Sequence, residues 1–129
     1  MVVHRRAGTD SGGVSDAAPP DADILIARDL GVALAVQTAD CVPILIADRK
    51  SAAVAAVHAG GAASPSAPIA AVEALTREFG ARPEDLIAAV GPSIGAARYE
   101  VDAAVLSRFE QNGFSAEHIG RWLCDGERL

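Results

Sequence analysis

"TADCVPILIADRKSAAVAAVHAGG", residues 38–61, holds two apolar runs, 42–47 and 52–59, separated by the charged corner Asp48-Arg49-Lys50-Ser51. Short continuous apolar runs bounded by turn residues read as strands covered on both faces. The corner is short enough for an antiparallel hairpin, and Pro43, which has no N–H to donate, fits the start of a strand. In such a hairpin Cys41 enters one strand as His58 leaves the next. A thiol and an imidazole then lie near each other at one end of a sheet.

Upstream, "ADILIAR" (22–28) and "GVALAVQT" (31–38) read as two more strands, with Gly31 between them. Residues 1–4, "MVVH", fit the end of a strand, and the Gly-, Ser-, Asp- and Pro-rich stretch 5–21 reads as a flexible loop. Downstream the period changes. Ile69, Val72, Leu75 and Phe79 recur at three- and four-residue steps, which predicts a helix from Ser66 to Phe79. Ser66 suits its cap, Pro68 its first turn and Gly80 its stop. A strand is predicted over 86–90, followed by the Gly-Pro loop "GPSIG" (91–95). Val101, Val105 and Phe109 mark a second helix ended by Asn112-Gly113, and "HIGRWLCDGERL" reads as the start of a strand. The fold class is mixed α/β, in one domain over residues 1–129.

Composition narrows the function. With five aromatic residues (one Trp, one Tyr, three Phe), the core must come from Ala, Val, Leu and Ile, which bury little area each. The net charge of −6, with Lys50 the only Lys and no basic run, argues against a nucleic-acid partner. No apolar run reaches the length of a membrane span and no signal peptide opens the chain. Cys41 and Cys124 sit far apart in dissimilar contexts, so a reducing cytoplasm is the expected compartment.

The Cys41–His58 pair is open to three readings. Cys is among the most buried residue types, and a His at a strand end is commonly just hydrogen-bonded. Thiolate and imidazole are also good zinc ligands, and three protein ligands plus water make a catalytic site. The same two groups serve equally as a nucleophile and its base. Competing motifs are missing: "GTDSGG" lacks the Gly-Lys-Ser/Thr of a P-loop, and neither a Gly-x-Gly-x-x-Gly nor a Pro-Cys-x-x-Cys is present.

"AVQTADCVPILIAD", "VAAVHAG", "ARPEDLIAAVGPSIG" and "YEV" resemble, in order and spacing, the laccase-domain proteins. That family was long labelled multicopper polyphenol oxidoreductase and is now described as zinc-dependent purine nucleoside phosphorylases. Its pattern is a T-A-D-C turn, a hairpin, H-A-G-W-R-G, a helix and G-P-x-I-G. The resemblance implies stacked mixed β-sheets flanked by helices, and zinc, ahead of copper, held by Cys41 and His58. It implies phosphorolysis of purine nucleosides, methylthioadenosine among them, with phosphate, and deamination of adenosine. A third ligand comes in the family from a Q-V-H-G motif. His4 stands at close to the family distance from Cys41, but without the apolar strand that should follow. The "GPSIG" turn offers backbone N–H groups for an anion nest, or simply ends a strand.

Two departures accompany the resemblance. "HAGGAAS" replaces H-A-G-W-R-G, which removes an Arg suited to clamping phosphate. Family members are longer, so the chain reads as the central portion of the fold, incomplete at both ends. The open apolar sheet edges expected from that would favour a homo-oligomer. Beside the zinc enzyme stand two alternatives: a Cys-His hydrolase on the same fold, with Cys41 attacking and His58 as base, and a non-catalytic remnant.

Overall fold

The hairpin forms as its sequence predicts. In the computed structural model, which describes residues 2–4, 22–60 and 66–122 (2–4 and 122 as backbone alone), β1 spans Val2–His4, β2 Ile24–Ala27, β3 Val42–Asp48, β4 Val54–Ala59 and β5 Leu86–Val90. The stretch 5–21, expected to be a flexible loop, lies outside the described residues, as does Cys124. The strands make one sheet in the order β1-β2-β4-β3-β5. Only β1 and β2 pair in parallel; the other ladders are antiparallel. The β3–β4 register runs from Val42 opposite Ala59 to Ala47 opposite Val54.

The hairpin corner is tied by Asp48, a buried carboxylate. It accepts the Lys50 N–H at 3.0 Å and the Ser51 hydroxyl at 2.7 Å, while its own N–H donates to the Ala53 carbonyl at 2.9 Å. These donors, the Lys50 N–H foremost and then Ser51, hold the Asp48 carboxyl below its ordinary value of 3.8. A carboxyl lowered on folding stabilises the native state above the unfolded value, and that contribution is lost as pH falls through the folded one. Asp48→Asn should therefore melt below the wild type at neutral pH, with the gap closing as pH drops to 3.8 and beyond. Thermal unfolding across that range checks it; a gap that stays constant with pH would contradict it.

The helix α1, Ala67–Phe79, follows β4 and covers one face of the sheet. Pro68 sits in its first turn, and Gly80 ends it at φ +70°, a left-handed conformation in which its N–H returns to the last turn. Ser66 occupies the cap position but makes no side-chain cap bond. Ala67, Ala71, Ala74 and Leu75 turn inward against Ile24, Ile26, Ile46, Ala55 and Val57. The small residues let helix and sheet approach closely, and the core is apolar but thin. Leu45 and Ile87, 56% and 55% exposed, alternate onto the other face near β5.

Two predicted elements differ. The stretch 31–38 forms no ladder among the described residues, although its side chains alternate between exposed and half-buried. Both edges of β2, the strand before it, are taken by β1 and β4, and both edges of β3, the strand after it, by β4 and β5. The stretch read as the start of a strand in "HIGRWL" is instead helix α3, Ala116–Trp122. The Ser115 hydroxyl accepts the His118 N–H at 3.3 Å, and Arg121 pairs with Glu117 one turn back, local bonds that outweigh the β-forming Ile and Trp. Before it, α2 (Ala103–Gln111) is capped by Asp102, whose side chain accepts the Val105 N–H at 2.9 Å. Phe109 and Phe114 meet edge to face at 5.7 Å beneath it.

Candidate functional site

The hairpin brings the thiol and the imidazole to one end of the sheet. Cys41 directly precedes β3, and His58 pairs with Pro43 near the end of β4. Gly60 shows how close the two groups come. A Cβ built on Gly60 would lie 2.2 Å from Cys41 Sγ and 2.8 Å from His58 Nε2. The two donor atoms thus share one small space directly above the Gly60 backbone, which only a residue without a side chain leaves open. Neither residue is deeply buried: Cys41 is part-exposed, and the His58 side chain is 32% exposed.

The other imidazole nitrogen has its own neighbour. Asp23, immediately before β2, places Oδ1 3.3 Å from His58 Nδ1, and its backbone carbonyl accepts the His58 N–H at 2.8 Å. Sequence pattern did not mark Asp23 or Gly60. The only signal was an acidic residue at the head of a strand that turns out to pair with the strand of His58.

The "GPSIG" loop lies against the Cys41 turn. The Gly91 N–H donates to the Pro43 carbonyl and the Ile94 N–H to the Asp40 carbonyl, each at 2.9 Å. With Pro92 lacking a donor, the loop spends these N–H groups on the turn that carries Cys41 and clasps it, which favours the strand-ending turn of its two readings. Between loop and turn lies an open cleft of about 320 Å³, lined by Thr38, Asp40, Pro43, Pro92, Ser93 and Ile94.

A metal site needs more than two donors, and no cluster of three His, Cys, Asp or Glu suited to a metal ion is complete among the described residues. His4 is placed by its backbone alone. Its Cα pairs with Ile26, which faces Ala55, further down β4 from His58. The residues that replace the family Trp-Arg, at 61 and 62, lie outside the described residues. The donor pair itself fits zinc, which bonds thiolate at ~2.3 Å and imidazole nitrogen at ~2.0–2.1 Å.

Residues 1–128 match the family described as multi-copper polyphenol oxidoreductase laccase. The chain belongs to that family. It is 41% identical over 98 residues to a purine nucleoside phosphorylase of Bacteroides thetaiotaomicron, covering 75% of this chain and 36% of that protein. A purine nucleoside phosphorylase of Deinococcus radiodurans is 36% identical over 107 residues, covering 83% and 40%. Among solved structures, YlmD from Geobacillus stearothermophilus superposes with a TM-score of 0.63 at 33% identity over 69% of this chain and 33% of its own. The hypothetical protein YfiH from Bacillus licheniformis gives 0.64 at 31% identity, over 74% and 36%. The laccase-domain chain thus spans a little over a third of the length of the curated relatives it matches. No described helix is long and apolar enough to cross a membrane.

Proposed function

We propose that this laccase-domain chain carries the metal-binding end of a zinc-dependent purine nucleoside phosphorylase, with Cys41 and His58 as two of the ligands. The supporting observation is the space above Gly60 shared by Cys41 Sγ and His58 Nε2, taken with the names of the relatives. Zinc held there would supply Lewis-acid polarisation of an oxygen. Cys41 enters as the thiolate and His58 as the neutral ring with its Nε2 lone pair. Thr38, Asp40 and Ser93 present two hydroxyls and a carboxylate along the neighbouring cleft, groups suited to hydrogen-bonding a ribose. The clasp of Gly91 and Ile94 holds the Cys41 turn against that cleft. His4 is level with Ala55 on the ladder and not with His58, which disfavours it as the third ligand. Adenosine, inosine and methylthioadenosine are the nucleosides, phosphate the co-substrate, and deamination of adenosine a companion activity.

The test is phosphate-dependent release of the purine base from each nucleoside by the purified chain, beside Cys41→Ala and His4→Ala. The proposal expects turnover in the wild type, lost in Cys41→Ala; base release that does not depend on phosphate would overturn it.

A second reading is favoured by one contact. Asp23, His58 and Cys41 stand in the order of an orienting acid, a base and a thiol nucleophile, as a cysteine hydrolase requires. Chelation separates the two: it should abolish the zinc activity and spare the hydrolase, whereas a thiol alkylator should strike the hydrolase hardest.

A further inference from the structure

We propose that Asp23 is a positioning residue that fixes the tautomer of His58, so that Nε2 presents a lone pair toward Cys41. The inference rests on the reading of Cys41 and His58 as metal ligands, and adds the group that prepares one of them. A carboxylate only accepts hydrogen bonds, so the ring nitrogen that faces it holds the proton. Asp23 Oδ1 lies 3.3 Å from Nδ1 as an ion-pair contact, and Nε2 is on the side where Cys41 Sγ and the Gly60 backbone lie.

Free imidazole side chains favour the opposite tautomer, with the proton on Nε2. In that form the ring would aim an N–H at the space above Gly60 and could not bind a cation there. Orientation is constrained as well. The His58 N–H is bonded to the Asp23 carbonyl at 2.8 Å, so backbone and side chain of one residue hold both ends of the histidine. Loss of such a carboxylate–histidine pairing weakens metal binding by about 10–100-fold.

The experiment has two readouts on the full chain: the imidazole ¹⁵N shifts of His58 in metal-free protein, and Co²⁺ affinity by competition with a chromophoric chelator. Wild type should show His58 protonated on Nδ1 and bind Co²⁺ with a sulfur-to-cobalt charge-transfer band. Asp23→Ala should move the proton to Nε2 and weaken Co²⁺ at least tenfold with little change in melting temperature. Asp23→Asn, which keeps an accepting oxygen without the charge, should fall between and covers the case in which the alanine variant misfolds. A His58 tautomer or Co²⁺ affinity unchanged by Asp23→Ala would overturn the inference. Nδ1 protonation that depends on Asp23, in a wild-type chain that binds no Co²⁺, would uphold the positioning role and sink the metal reading alone.

Discussion

Gly60→Ala should abolish the metal binding proposed for this chain while leaving the sheet assembled. The added Cβ would fall 2.2 Å from Cys41 Sγ, 2.7 Å from Cys41 Cβ and 2.8 Å from His58 Nε2, all far inside contact distance. The backbone of Gly60 is not in the left-handed region, so the expected damage comes from the methyl group and not from strain in the main chain. Two side chains must move apart to admit it, and they are the two donors. The loss of affinity should exceed the ~10–100-fold that follows removal of a supporting partner. Overpacking of this kind costs about 1–3 kcal/mol of stability. The double variant Gly60→Ala, Cys41→Ala removes the Sγ clash and keeps those with Cys41 Cβ and His58 Nε2, so its melting temperature should rise above that of Gly60→Ala yet stay below that of Cys41→Ala, with metal binding still lost. Calorimetry and a metal titration on the three variants check both parts. Undiminished binding by Gly60→Ala would mean that the two donor atoms do not share that space.

The second large effect is a contrast between two glycines of one loop. A Cβ on Gly91 would lie 2.8 Å from Cγ of Pro43, a ring that cannot swing away, beside the bond from the Gly91 N–H to the Pro43 carbonyl. Gly91→Ala should therefore pry the clasp off the Cys41 turn at a cost of about 1–3 kcal/mol. A Cβ on Gly95 meets nothing within 4 Å, and its φ of −75° suits any residue. Gly95→Ala should be neutral or stabilise by about 0.4–1 kcal/mol through the unfolded chain. Thermal melts of the two variants read the difference. If the loop held phosphate through its backbone, Gly95→Ala would instead disturb the phosphate Michaelis constant without any loss of stability.

The parts of the fold that the sequence made legible were those in which local pattern and packing agree. The apolar runs around Asp48 to Ser51 left a hairpin as the only short connection, and strand alternation then carried Cys41 and His58 to the same end. Ile69 to Phe79 repeated with helical spacing and was followed by Gly80, so α1 could be bounded from both sides. The stretch 31–38 misled because its alternation is that of a strand, whereas pairing depends on which edges remain open, and no local pattern encodes that. Residues 116–122 misled for the opposite reason: Ile119 and Trp122 favour strands, but the Ser115 cap and the Glu117–Arg121 pair decided locally for helix.

The same distinction separates the parts of the site. Cys41 and His58 were visible because they occupy marked positions on predicted strands. Asp23 was not, since its partnership with His58 exists only through the β2–β4 ladder. Gly60 looked like one more loop glycine until the atoms around its missing side chain were known. The "GPSIG" turn left two readings open, an anion nest or a plain strand-ending turn, and two of its N–H groups are bonded to the Cys41 turn.

Metal content per chain, measured on freshly purified protein and again after zinc is supplied and excess removed, tests the central claim most directly. The shared space between Cys41 Sγ and His58 Nε2 predicts close to one zinc per chain, absent from both Cys41→Ala and His58→Ala. A zinc-supplied wild-type chain that holds no metal, or one that holds it equally well in the two variants, would contradict the claim.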